Sequence, residues 1–205
     1  SSAKSSSIIG ATYGFDTRKT GFNPDAGVNL TVSQEFSGLG GVNQHIKTNA
    51  LLSGQTELLN GNLGLMGEIE AGRLQSFSGG SGVLDRFFAS GGAIRGFEHN
   101  GIGPRDISAT NKDALGGNLF AAARFEAKFP IGFLESYGMS GGSFYDIGSV
   151  WKLDDTAGTS GTVDDSLSLR SSIGLSLFWK TVIGPLRINY SKALAKKSYD
   201  KVQIL

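Results

Sequence analysis

The sequence predicts an all-β protein, an antiparallel transmembrane β-barrel, and three observations carry that prediction. Apolar and polar residues alternate with period two along most of the chain, which sends them to opposite faces of extended strands. The alternating segments mostly exceed the roughly five or six residues of soluble strands and meet the roughly 9–11 residues that cross a bilayer at a tilt. Tight turns alternate with long loops, as in barrels with short turns at one rim and long loops at the other. Composition agrees: 31 Gly, 13 Phe and only 18% charged residues in 205. Alternation lets one face be greasy while mean hydropathy stays near zero.

Taken in chain order, the first candidate strand is 7–17. In 27–36, Val28, Leu30, Val32 and Phe36 oppose Asn29, Thr31, Ser33 and Glu35. Segment 42–59 follows, and Asn60-Gly61-Asn62 signals a tight hairpin. In 63–75, Leu65, Ile69 and Ala71 oppose Glu68 and Glu70. Residues 77–117 form a long loop. In 118–131, Leu119, Ala121, Ala123, Phe125, Ala127, Phe129 and Ile131 oppose Phe120, Ala122, Arg124, Glu126 and Lys128. Three consecutive charged positions require that second face to be wet. Segment 138–151 precedes a second long loop at 152–166. In 167–180, Leu167, Leu169, Ile173, Leu175, Leu177 and Trp179 oppose Ser168, Arg170, Ser172, Ser176 and Lys180. Ile183-Gly184-Pro185 turns the chain into 185–195, and 202–205 reads as a strand stub. A soluble β-sandwich with a polar outer face is the competing architecture.

Several function classes are excluded by content. A formal net charge of +1 argues against nucleic acid, which requires clustered Lys and Arg. The densest basic run is Lys192 to Lys201. Without Cys there are no disulfides and no thiolate metal sites. The two histidines, His45 and His99, lack a companion constellation for catalysis. The pairs Asp154-Asp155 and Asp164-Asp165 lack the spacing of a calcium loop and read as solvated loop residues. No cofactor fingerprint is present, so the chain reads as a non-enzyme without metal or cofactor. Trp151 and Trp179 lie near strand ends, where either an interfacial belt or ordinary packing suits them.

The candidate site lies in the long loop, at Ile94-Arg95-Gly96-Phe97. Gly91, Gly92 and Gly96 allow close chain approach. Arg95 offers five donors in a rigid fork suited to carboxylates. Alternation places two carboxylates inward on the following strands, Glu126 and Asp146, so Arg95 is expected to pair with one or both. A surface arginine in a mobile loop is the plainer alternative.

These residues together resemble the BamA superfamily of outer-membrane assembly and secretion barrels. Its loop-six signature stands as Ile94-Arg95-Gly96-Phe97, followed by Gly103-Pro104. Its strand opening stands as Gly116-Gly117-Asn118, with the strand glutamate at Glu126. Its Phe-x-Asp-x-Gly stands as Phe144, Asp146 and Gly148. Trp179 with Gly184-Pro185-Leu186 is similar to a later family hairpin, with Thr181-Val182 in place of its Ser-Pro. Asp16-Thr17-Arg18 with Pro24 and Gly27 is similar to an earlier one. The motifs run in order over nearly the whole chain, and 97–106 is closer to the assembly members than to the translocation members.

The resemblance implies that loop six, at 77–117, folds into the lumen and that its arginine engages acidic wall residues. It implies the C-terminal half of a sixteen-stranded barrel, about eight to nine strands, without a POTRA domain in residues 1–205 and with the last strand cut short. It implies an assembly factor of the outer membrane. The substrates are unfolded outer-membrane proteins, accessory lipoproteins bind through POTRA domains, and the lipid bilayer surrounds the barrel. A translocation pore of the same superfamily is the second function the resemblance allows, and a passive diffusion channel is a third class, outside the resemblance.

Overall fold

The computed structural model describes residues 7–18, 26–38, 44–78, 80–89, 92–161 and 163–203. Among these residues, eight antiparallel strands form one sheet in strict sequence order: β1 (Ile8–Asp16), β2 (Ala26–Ser37), β3 (Gln44–Leu58), β4 (Leu63–Ser78), β5 (Leu119–Pro130), β6 (Met139–Trp151), β7 (Arg170–Thr181) and β8 (Gly184–Ala195). The strands run from 9 to 16 residues, long enough to span a bilayer. No helix among the described residues is long and apolar enough to cross a membrane.

Register carries alternation across the sheet. Val28, Gly54, Gly67, Phe125, Tyr145 and Ile173 are successive partners and share one face. Large apolar side chains on this face stay exposed, among them Ile69, Phe125, Ile173, Leu175, Ile188 and Tyr190. A soluble sandwich would bury one of its faces in a core; here the apolar face is bare and the polar face is covered.

The cover is the loop between β4 and β5. Its residues Ala93, Ile94, Phe97 and Ile102 form the principal apolar cluster with Phe120, Ala122 and Val150 of the inner wall. Phe120 and Ala122 stand on the face expected to be wet. At their end of β5 that face is dry, because the loop lies on it; only Arg124, Glu126 and Lys128 keep the polar character expected. At Gly72 the wall is thinned for the loop: a Cβ there would stand 2.4 Å from the Phe87 ring.

Four expected boundaries move. β4 continues to Ser78, so the loop begins after it. A short 3-10 helix, Gly132–Tyr137, ending on Gly138 at φ 76°, joins β5 to β6, so β5 stops at Pro130 and β6 starts at Met139, one residue inside the expected 118–131 and 138–151. β7 begins at Arg170, three residues later than the alternation at Leu167 and Leu169 implies. The backbone carbonyl of Ser168 accepts from the Ser149 hydroxyl and from Arg170 instead of joining a ladder, and the β7–β8 register shifts at Ser171/Ser172. Of the stub expected at 202–205, Val202 makes an antiparallel bridge to Phe97 of the loop, and 204–205 lie outside the described residues. So do Pro24, Ser90 and Gly91.

Candidate functional site

Arg95 reaches the inner wall at two adjacent strands. Its Nη1 donates to Glu126 Oε2 of β5 at 2.5 Å. Its Nε and Nη2 donate to the two oxygens of Asp146 on β6 at 2.7 and 2.6 Å. The backbone N–H of Arg95 donates to Asp146 as well, at 2.9 Å. Asp146 therefore takes three bonds from one residue, in the bidentate geometry a guanidinium fork favours. The side chains of Arg95, Glu126 and Asp146 are 12%, 8% and 0% exposed, so the charges sit in a largely dry site where each depends on its partner.

Strand geometry explains how one short motif supplies three parts of this site. Phe144, Asp146 and Gly148 are spaced by two and face inward together. The Arg95 guanidinium lies 3.6 Å from the Phe144 ring centroid, a cation–π platform. Gly148 leaves room for Ile94, whose Cδ1 would be 3.0 Å from a Cβ placed there. Gly96 takes φ +88°, and a Cβ on it would stand 3.2 Å from the Ser191 hydroxyl and 3.4 Å from Ser172 Cβ. A glycine is thus required twice over, by backbone shape and by closeness to the wall. Ile94 and Phe97 are 2% and 3% exposed and wedge the arginine into place.

Three arginines near the site are not distinguished by sequence reasoning. Arg124 donates from Nε to Glu68 at 2.8 Å and from Nη2 to Glu70 at 2.9 Å, and its Nη1 reaches the Ala93 carbonyl at 3.2 Å. It ties β4 and β5 to the loop just before Arg95. Alternation places Arg124 inward, so this much was available. Arg187 of β8 pairs with the same Glu126 that Arg95 holds, so among the described residues that carboxylate has two cations and Asp146 has one. Arg170, which the alternation of 167–180 places on the inner face, pairs with Asp200 in the turn after β8, and that partner carries no alternating signal. His45 is buried at the rim end of β3, and His99 is exposed in the loop. No group of metal-ligating side chains occurs among the described residues.

The long loops hold one another at that rim. Asp106 of the β4–β5 loop accepts from the Thr159 N–H at 2.5 Å and the Ser108 N–H at 3.0 Å. The Ser108 and Thr159 donors hold its carboxyl well below the usual carboxylate range. Asp154 accepts from the Ser81 N–H at 2.7 Å and from Asn118 at 2.8 Å. Asp164 pairs with Lys197, which lowers its carboxyl to about 2.

The Omp85 superfamily domain matches residues 1–205. The chain belongs to the Omp85 superfamily. It is an outer-membrane protein of BamA type, and its eight strands are part of such a barrel. It is 33% identical over 183 residues to the outer membrane protein assembly factor BamA of Neorickettsia risticii, covering 89% of this chain and 24% of that protein. It is 29% identical over 168 residues to BamA of Neisseria meningitidis serogroup B, covering 72% of this chain and 20% of that protein. The chain thus spans about a quarter or less of these relatives. The fold is similar to the crystal structure of BamA from Haemophilus ducreyi lacking POTRA domains 1–3. The TM-score is 0.81 at 22% identity, over 96% of this chain and 40% of that one.

Proposed function

We propose that these residues are the C-terminal part of the barrel of an outer-membrane assembly factor, which folds and inserts β-barrel proteins into the outer membrane. Loop six, the connection between β4 and β5, is its internal brace, and Ile94-Arg95-Gly96-Phe97 is the latch that Glu126 and Asp146 receive. The observation that carries this reading is the buried Arg95 cluster on a wall similar to proteins named assembly factors. A brace of this kind keeps the interior filled while the sheet's edges do the work. An exposed strand edge can template an incoming strand by β-augmentation, and a bilayer tolerates such an edge only while a partner pairs its backbone groups. In this reading no cofactor and no catalytic side chain takes part. The substrates are unfolded outer-membrane proteins, and accessory lipoproteins act through POTRA domains of the whole protein.

The test is reconstitution of the full-length protein in liposomes with an unfolded outer-membrane barrel. Acceleration of folding, lost in Arg95→Ala and in Asp146→Asn, is the expected result. Passage of a soluble polypeptide without any acceleration of barrel folding would replace this reading with a translocation pore. A steadily open conductance with loop six intact, again without folding activity, would replace it with a diffusion channel.

A further inference from the structure

The segment that leaves β8 does not run free along the rim. It closes a turn at 197–200, where Asp200 Oδ2 accepts from the Lys197 N–H at 2.6 Å and the Asp200 N–H donates to the Lys197 carbonyl at 3.1 Å. It then lies antiparallel to loop six. The Glu98 N–H donates to the Lys201 carbonyl at 3.1 Å, the Lys201 N–H to the Gly101 carbonyl at 2.9 Å, and the Gln203 N–H to the Gly96 carbonyl at 3.1 Å. Phe97 and Val202 form the bridge between the two. Gly96 and Phe97 directly follow Arg95, so this strap is bonded to the residues that fix where Arg95 points.

One ion pair holds the strap. Arg170, at the start of β7, donates from Nε and Nη2 to the two oxygens of Asp200 at 3.0 and 3.1 Å. Its Nη1 donates to the Ser168 carbonyl at 2.7 Å. The Arg170 side chain is 1% exposed and that of Asp200 0%. This is the most deeply buried pair of opposite charges among the described residues, drier than the Arg95 cluster. A pair so placed loses heavily when either member is removed, because the other is left buried and uncompensated. It joins two elements with no ladder between them, the first residue of β7 and a turn 30 residues later.

We propose that Arg170 and Asp200 are a second latch, and that they are positioning residues for Arg95. Loop six is clamped from two sides. Arg95 fixes it to β5 and β6 from within the sheet. Arg170, acting through Asp200 and the 200–203 strap, fixes it from the rim by adding a short extended segment to its backbone. Displacing the strap frees the carbonyl of Gly96 and the N–H of Glu98, and with them the register in which Arg95 meets Asp146. This inference concerns only what holds loop six, and it stands whichever polypeptide the barrel handles.

The experiment is amide hydrogen exchange on the full-length protein in detergent or nanodiscs, comparing the parent with Asp200→Ala, Asp200→Asn and the reversed pair Arg170→Asp/Asp200→Arg. If the proposal holds, Asp200→Ala speeds exchange at Glu98, Lys201 and Gln203 by about tenfold or more, while amides in the middle of β5 and β6 keep their protection. The reversed pair restores part of that protection, and a merely structural loss would not be rescued. Asp200→Asn keeps the turn at 197–200 and removes the charge, so it gives the readout even where the alanine variant fails to fold. In the background of Arg95→Ala, the further effect of Asp200→Ala on Glu98 shrinks, because the two latches act on one loop. The proposal is overturned if Asp200→Ala releases the Lys197 amide and leaves Glu98 and Gln203 unchanged. It is equally overturned if those two amides exchange freely in the parent.

Discussion

Strands β5 to β8 and strands β1 and β2 are written in the same alternating pattern, yet the two ends of the sheet are held in different ways. In β5 to β8 the inner face is closed. Glu126, Asp146, Ser172 and Ser191 are buried against loop six, and Arg95, Arg124, Arg170 and Arg187 tie that wall together. In β1 all nine residues are exposed, and β2 buries only Ser37, at its end. Loop six reaches β3, where the Lys47 ammonium lies 4.7 Å from the centroid of the Phe87 ring. Alternation makes a strand and assigns its faces. It does not say what fills the interior, and here the filling is one-sided.

The sharpest way to break this comparison is at Arg95. Arg95→Ala leaves Asp146 buried without its only cation among the described residues, and a broken buried pair costs about 3–5 kcal/mol. Urea unfolding of the protein in detergent should show that loss, and hydrogen exchange should place it in β5 to β8. An equal loss of protection in β1 and β2 would mean that the sheet is one cooperative unit and the contrast is false.

A glycine pair tests the same contrast through packing alone. A Cβ at Gly148 would meet the Ala121 carbonyl at 2.5 Å and Ile94 Cδ1 at 3.0 Å, whereas a Cβ at Gly14 of β1 meets nothing within 4 Å. Gly148→Ala is expected to destabilise by about 1–3 kcal/mol, the cost of overpacking. Gly14→Ala should fall within about 0.5 kcal/mol of the parent. Midpoints of denaturant unfolding, compared side by side, decide it; matching effects would refute a one-sided interior.

Arg187 offers a finer cut. Glu126 keeps Arg95 when Arg187 is removed, so Arg187→Ala should cost on the order of 1 kcal/mol, well below Arg95→Ala. Because Arg187 and Arg95 share a carboxylate, the double variant should be worse than the sum of the single ones. A double-mutant cycle measures that excess, and strict additivity would show that Arg187 does not support Glu126.

The smallest expected effect is at the rim. Lys197 holds the Asp164 carboxyl at about 2, below its ordinary value of 3.8. A carboxylate with a depressed folded value contributes stability above its unfolded value and loses it as pH falls through the folded one. The Asp164–Lys197 contribution is therefore present above about pH 4 and lost as pH falls through about 2. Comparing the parent with Asp164→Asn across that window, by thermal unfolding, should show the difference vanish at the acid end. An unchanged difference at the lowest pH would remove the pair from the account.

Much of this is legible in the chain because strands carry their facing in their period. The eight strands, the inward placement of Glu126 and Asp146, and the apolar face that stays bare all follow from spacing by two. Phe144 and Arg124 share that inward face, so their neighbourhood was legible, although nothing in the spacing says that Phe144 would lie beneath a guanidinium. Arg170 and Asp200 are different. Arg170 stands on the face that alternation assigns inward, next to the register shift at Ser171/Ser172, and Asp200 stands in a turn after the last strand. A partner in an aperiodic segment leaves no local trace. The bridge between Phe97 and Val202 was hidden for the same reason: Val202 reads as the start of a strand, and its partner is a loop.

What the sequence by itself determined is the extended backbone, the two faces and the order of short and long connections, because each depends on neighbours two residues apart or on turn residues in place. Only the tertiary structure decided that loop six lies inside the sheet, which arginine takes which carboxylate, and that the segment after β8 clamps the loop from the rim. Those outcomes depend on burying charge in pairs, and a buried charge selects its partner by distance in space across elements whose sequence separation carries no information.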